Sequence, residues 1–241
     1  MNNWSIYCLP RCGSTVAVQL LLQYFKQTDN RYNTYPIQTA KQTEWFSPPN
    51  IEIIAKRYGL TVDKARKQAY TTIQNLAGTE QFPLIKNIIT AVPPYTYDFM
   101  KQCGYRVLII HRRNIIDQYI SHMVSVRSYY HIPTDIDLSG IKNRVEPFKA
   151  TIDSFEAYYR HYMLLNTYKA DAHIYYEDFI NNYSVLFDTI GRPNAAVEYY
   201  ASNLITQPIV GNLREYITNM DEVKQWFAHR LDFIEDINNG Q

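Results

Sequence analysis

The chain has 241 residues and carries 24 Lys and Arg against 23 Asp and Glu, a formal net charge of +1. Hydrophobic residues make up 46% and charged residues 20%, which excludes a disordered chain, a collagen-like repeat and a polybasic nucleic-acid tail. Cysteine occurs only at Cys8, Cys12 and Cys103, too few for a disulfide framework and in keeping with a reducing compartment. No apolar run approaches the ~20 residues of a membrane span, and the opening MNNWSIYCLP lacks the basic segment and apolar core of a signal peptide. At about 150 residues per domain, the expectation is a single domain over 1–241, cytoplasmic, with neither nucleic acid nor membrane as partner. Its oligomeric state is not legible.

Trp4–Cys8 is a short β-prone run that stops at Leu9-Pro10, and Ser14–Phe25 follows as a mostly apolar helix. Strand, tight turn and helix in that order open a βαβ unit. The polar stretch 27–49 reads as loop. Ile51–Tyr58 and Val62–Leu76, separated by Gly59, read as two helices of an insertion near 50–78. Phe82–Lys86 is a buried strand candidate, and Tyr95–Gln102 is a helix ended by Cys103-Gly104. Tyr105–His111 is the strongest strand candidate, and its continuous apolar run Val107–Ile110 suits a parallel strand covered on both faces. Asn114 and Asp117 form a capping pair for the next helix. Residues 131–147 read as a loop and Phe148–Tyr168 as a long aromatic helix. Ala172–Tyr176 is a fourth strand, followed by a helix to Ile190 that Gly191 stops. Asn219 and Glu222 match a capping box for a last helix near 219–238, with Val223, Phe227, Leu231 and Ile234 on one face. The fold class is therefore α/β, a mostly parallel central sheet flanked by helices.

Two turns carry chemistry. Leu9-Pro10-Arg11-Cys12-Gly13-Ser14-Thr15 lies where a strand feeds a helix, a place that offers backbone N–H groups and the positive end of a helix dipole to an anion. Gly13 lets the backbone approach closely, Ser14 and Thr15 add hydroxyls, and Arg11 adds a planar charged fork. The Walker A spacing with its Gly-Lys-Ser/Thr is missing; the alternative is an ordinary Gly turn with a Ser/Thr cap. Cys8 and Cys12 lack a second ligand pair for zinc. A phosphatase-type Arg six positions after either is absent, since Ser14 and Val18 stand there. The second turn follows the strongest strand: Arg112 and Arg113 leave its C-terminal end, and Ser121 lies about two turns into the next helix. Ligands of open parallel sheets bind at the carboxyl ends of strands, so two such turns suggest one ligand with two separate anionic groups.

Pro10-Arg11-Cys12-Gly13-Ser14-Thr15 resembles the 5′-phosphosulfate loop of sulfotransferases that use 3′-phosphoadenosine 5′-phosphosulfate (PAPS). Arg113 and Ser121, eight positions apart, resemble that family's 3′-phosphate motif, and Tyr175-Tyr176-Glu177-Asp178-Phe179 its Tyr-Glu-Asp-Leu segment. The three motifs occur in family order, and the Arg in the first loop is closest in style to the carbohydrate, trehalose and tyrosylprotein branches. The resemblance implies a fold related to P-loop kinases, PAPS as donor, the phosphoadenosine product PAP, and no metal. It places Arg11, Cys12, Gly13, Ser14 and Thr15 on the 5′-phosphosulfate, Arg113 and Ser121 on the 3′-phosphate, and Tyr176 on the adenine. Cys12 departs from the family's usual Ser and loses one hydroxyl donor. The C-terminal loop of the 3′-phosphate site is poorly matched, with Arg214 as its candidate.

Sulfuryl transfer needs charge stabilisation and a base for the acceptor. Lys86 ends the predicted buried strand, where a Lys needs a solvent route or an anionic partner; it resembles the family's Lys at that strand end, with a structural snorkelling Lys as the alternative. The Lys-Thr-His of the small-phenol enzymes is replaced here by Lys86-Asn87-Ile88, which closes that route to a base. Glu44 stands before Trp45 and Phe46, a setting expected to desolvate its carboxylate and raise its pKa. It also resembles the base of the trehalose branch, with a surface Glu as the alternative. His111, His122 and His131 are weaker candidates, His111 being pushed down by its two Arg neighbours. The 22 Tyr could line a cleft for sugars or aromatic acceptors, but composition leaves the acceptor open between a saccharide and another small molecule. Competing readings are a P-loop kinase, disfavoured by the missing Gly-Lys-Ser/Thr, and a catalytically silent PAP-binding module.

Overall fold

The computed structural model describes residues 3–28, 44–77, 84–127, 146–192 and 213–230. These fall into two compact units, Met1–Arg113 with Met163–Ile205, and Asn114–Tyr162 with Thr206–Gln241.

The first unit is built on four parallel strands, β1 (Trp4–Cys8), β2 (Leu84–Ile88), β3 (Arg106–His111) and β4 (Ala172–Tyr175), in the order β2-β1-β3-β4. β1 is buried along its whole length, with Ile6 beside both Lys86 and Leu108 in register. A strand covered on both faces has no polar face to alternate with, which is why Val107–Ile110 reads as an unbroken apolar run and Trp4–Cys8 is broken only by the small Ser5. On the Tyr7 face the ring lies edge-on to Tyr97 at 5.8 Å and to Tyr168 at 5.4 Å, and those two stack on each other at 4.2 Å. The opposite face meets helix α1 (Ser14–Thr28), which buries Ala17, Leu20 and Leu21.

Helices α2 (Pro48–Tyr58) and α3 (Val62–Ala77) form the expected insertion, and Gly59, at φ 63°, ends α2 in the left-handed conformation that favours glycine. Phe46 stacks on Tyr70 of α3 at 4.3 Å, and the Tyr70 hydroxyl meets Thr96 of α4 (Thr96–Gln102) at 2.6 Å. The expected strand at 82–86 runs on past its expected end: β2 is Leu84–Ile88, so Lys86 is not terminal. After β4 the single expected helix is broken into α7 (Tyr176–Asn181) and α8 (Ser184–Thr189), because Asn182 leaves the helical conformation at φ −148° and its side chain caps Ser184. Gly191 stops α8 as expected, at φ 73°.

The second unit contains α5 (Ile115–Arg127), most of α6 (Ile152–Asn166), a 3₁₀ turn (Leu213–Tyr216) and α9 (Met220–Ala228). Asn114 caps α5 as the sequence predicts, its Oδ1 accepting the Asp117 N–H at 3.0 Å. Tyr119, Phe155 and Phe227 interlock edge-to-face with centroids 4.7–6.0 Å apart, contacts worth about 0.5–1.5 kcal/mol each beyond their burial. The expected box at α9 takes another form: Asn219 uses its Oδ1 on the Ala150 N–H and its Nδ2 on Glu222, tying the helix start to a neighbouring segment instead of capping it. Residues 131–145 of the loop expected at 131–147, and Leu231 and Ile234, lie outside the described residues.

Candidate active site

In the order β2-β1-β3-β4 the chain leaves β1 toward one side of the sheet and later crosses to the other, so the carboxyl ends of β1 and β3 flank a topological switch point, the usual ligand crevice of an open parallel sheet. Both sequence-predicted turns lie there. In the first, Arg11 stands at φ 65°, the one non-glycine residue with positive φ among those described, and Gly13 at φ 77°. A left-handed residue other than glycine is strained by ~1–2 kcal/mol, and such strain concentrates at ligand sites. Gly13 is also closely covered: a Cβ there would lie 2.1 Å from Tyr176 Cδ2. The carbonyl of Gly13 accepts the N–H groups of both Val16 and Ala17, so α1 begins directly behind the turn with its positive end facing it.

Cys12 has no exposed surface, and its thiol turns inward to Cys8 and Ser14. The contact with Cys12, and burial behind it, pushes the Cys8 thiol well up. At Cys12 the upward push of burial is outweighed by hydrogen bonds from Cys8 and Ser14 and by the charge of Lys86, which draw it down. The side chain at position 12 is therefore packing inside the loop, and its loss of a hydroxyl removes no outward donor.

Lys86 is 3% exposed. Its ammonium is satisfied by the Glu44 carboxylate at 2.7 Å and approaches the hydroxyl of Thr15, in the first turn of α1, at 3.4 Å. Three residues singled out separately in the sequence thus stand in one row, Glu44–Lys86–Thr15. Glu44 is held from behind: its backbone carbonyl accepts the Ser47 hydroxyl at 2.9 Å and Asn50 Nδ2 at 2.7 Å. A fixed backbone leaves the carboxylate as the segment's adjustable part.

At the second turn, Arg112 and Arg113 meet the segment after β4. Asp178 takes Arg113 in a fork, Nη1 to Oδ1 at 2.5 Å and Nη2 to Oδ2 at 2.8 Å. Glu177 accepts the Arg113 backbone N–H at 3.0 Å and faces Arg112 Nε at 3.7 Å. The guanidinium of Arg113 lies over the Tyr175 ring at 4.4 Å and that of Arg112 over Tyr176 at 5.2 Å. Arg112 also donates to the Arg11 carbonyl at 3.3 Å, which ties the two turns together. These contacts of Glu177 and Asp178 were missed in the sequence, although two consecutive cations after one strand and two consecutive acids after the next are a readable signal.

Ser121 and Arg214 belong to the second unit. Ser121 is buried on α5, and Arg214 Nε binds Asp117, four residues before Ser121 and so on the same helix face, at 2.7 Å. His122 packs beside Tyr158 at 5.6 Å. His111 shares a proton contact of 3.0 Å with His173. Its pKa is lowered to about 4 by burial and by His173, so the cause is not the neighbouring arginines that the sequence suggested. His131 lies outside the described residues. Among the described residues no cluster of His, Cys, Asp and Glu is placed to hold a metal ion, and no helix is long and apolar enough to cross a membrane.

No protein-family model matches the chain, and no curated protein matches it significantly. Among solved structures it is similar to a retinol dehydratase crystallised with androsterone and the inactive cofactor PAP, with a TM-score of 0.52 and 14% identity over 95% of this chain and 80% of that one. It also aligns with the sulfotransferase domain of the curacin biosynthetic pathway, with a TM-score of 0.39 and 10% identity over 88% of this chain and 80% of that one. The four-stranded parallel sheet and its flanking helices share the fold of that retinol dehydratase.

Proposed function

We propose that this chain is a sulfotransferase that transfers the sulfuryl group of PAPS to a hydroxyl, or an amine, of a saccharide or other small-molecule acceptor. The row Glu44–Lys86–Thr15 carries this reading, because it brings a carboxylate and a buried cation to the first turn of α1. The donor set fits such a ligand chemically: a left-handed turn backed by a helix N-terminus suits the 5′ group, and a forked Arg at the next strand end suits a second phosphate. The similar retinol dehydratase was crystallised with PAP.

In this reading Arg11, Gly13, Ser14 and Thr15 hold the 5′ end of the donor, Cys12 contributing backbone only. Arg113 is assigned to the 3′-phosphate and Tyr176 to the adenine. PAPS supplies the activated sulfuryl group. Glu44 takes the proton of the acceptor as its oxygen bonds to sulfur, and Lys86 with Arg11 stabilises the negative charge left on the departing phosphate. The cations of the chain supply that charge, so no metal is assigned.

Calorimetry with PAP, PAPS and ATP tests the donor, and labelled PAPS offered with a panel of sugars, phenols and amines tests the transfer. PAP binding that is independent of Mg²⁺, with label on a hydroxyl acceptor, is the expected result. A preference for ATP overturns the reading in favour of a kinase, and PAP binding without transfer to any acceptor leaves a silent module.

A further inference from the structure

The Arg113–Asp178 pair is half open to solvent, with side chains 48% and 40% exposed. Pairs of that kind contribute little to folding, because water screens the attraction and two long side chains must be held still. Arg113 is nevertheless gripped at three places from one segment: Glu177 on its backbone N–H, Asp178 on the tip of its guanidinium, and the Tyr175 ring beneath its face. Such a grip suits a side chain whose direction matters more than its stability.

The count of donors shows what remains. A guanidinium has five N–H groups in a fixed plane. Asp178 uses one on Nη1 and one on Nη2, which leaves Nε–H and its lateral neighbour as a parallel pair for a second oxyanion. The carboxylate thus occupies the end of the fork and keeps the side edge available in one orientation.

We infer that Asp178 is a positioning residue for phosphate recognition, aiming the lateral edge of Arg113 at the 3′-phosphate of the donor. This rests on the donor reading given above. Holding the Arg before the ligand arrives removes the ordering of a long side chain from the cost of binding. Asp178 touches Arg113 alone in this scheme and takes no part in the transfer.

The test is calorimetry on the full chain with PAP and with 5′-AMP, ligands that differ only in the 3′-phosphate. Asp178→Asn keeps size but loses the charged fork. It is expected to weaken PAP about tenfold, the order seen when a group orienting a ligating side chain is lost, and to leave AMP unchanged. Asp178→Glu should restore part of the loss. In an Arg113→Ala background Asp178→Asn should have no further effect on PAP. Equal losses for PAP and AMP, or a further loss without Arg113, would assign Asp178 a merely structural role. Tighter PAP binding in Asp178→Asn would make Asp178 a competitor of the phosphate. Either result overturns the inference while the donor reading stands. A wild-type chain that binds PAP no better than AMP overturns the donor reading and the inference with it.

Discussion

The ammonium of Lys86 lies 2.7 Å from the Glu44 carboxylate, with side chains 4% and 18% exposed. The cation is the more deeply placed partner, so the two halves of the pair are not equivalent. The Lys stem crosses the interior of the sheet face covered by α1, while the carboxylate keeps contact with solvent.

This asymmetry predicts unequal variants. Glu44→Gln strands an ammonium in the interior with the Thr15 hydroxyl as its remaining neighbour, and should cost about 1–3 kcal/mol in urea denaturation. Lys86→Met strands a more accessible carboxylate and should cost less, and the double variant should approach wild type. Glu44→Gln should also lower sulfuryl transfer by about 10²–10⁴ while sparing PAP affinity, as loss of a general base does. Turnover that persists in Glu44→Gln would place the base elsewhere.

Gly13→Ala meets two separate obstacles. A φ of 77° is strained for any residue with a Cβ, and that Cβ would sit 2.1 Å from the Tyr176 ring. Destabilisation of about 2 kcal/mol or more is expected. Adding Tyr176→Ala should relieve the clash but leave the strain, so recovery in thermal denaturation should be partial; full recovery would show that the backbone tolerates the substitution.

The three thiols should react in order of exposure. Cys8 and Cys12 are fully buried and Cys103 is half-buried. A thiol reagent should label one residue of the native chain and all three after denaturation. Because the Cys12 side chain faces Cys8 and Ser14, Cys12→Ser should leave PAP affinity within about twofold, the span of a weak contact exchanged for another. A tenfold gain would mean that position 12 faces the donor.

His111 makes stability depend on pH. Burial and His173 hold its folded pKa near 4, below the ordinary 6.5. Between those values the unfolded chain binds more protons than the folded one, so stability rises with pH there. The contribution is complete above about pH 6.5 and is lost as pH falls toward 4, up to about 3 kcal/mol. Urea midpoints across this window should shift less in His111→Leu. An equal shift in the variant would assign the dependence to other groups.

The order of strands and helices was legible because each carries its own local signal. β1 and β3 are dominated by apolar residues, with Val107–Ile110 unbroken, Gly59 and Gly191 end helices where φ turns positive, and Asn114 caps α5. Element ends were less so: β2 runs on to Ile88, two residues past the end its apolar pattern suggested, since strand ends depend on the neighbour's length, here Trp4–Cys8. The Asn219 side chain was misjudged because its partner is Ala150, far away in the chain.

For the site, residue identity and spacing single out Arg11 to Thr15, Glu44, Lys86 and Arg113 as candidate groups at strand ends and turns. Sequence carries identity and spacing, and anion-binding turns are local objects, so this much needed no coordinates. Pairing is a different matter, because it depends on which strand lies beside which. Parallel neighbours joined by long crossovers put Lys86 against Glu44 and Thr15, turned Cys12 inward, and set Asp178 on the fork of Arg113. Those distances follow from the sheet order β2-β1-β3-β4, a property of the folded chain as a whole.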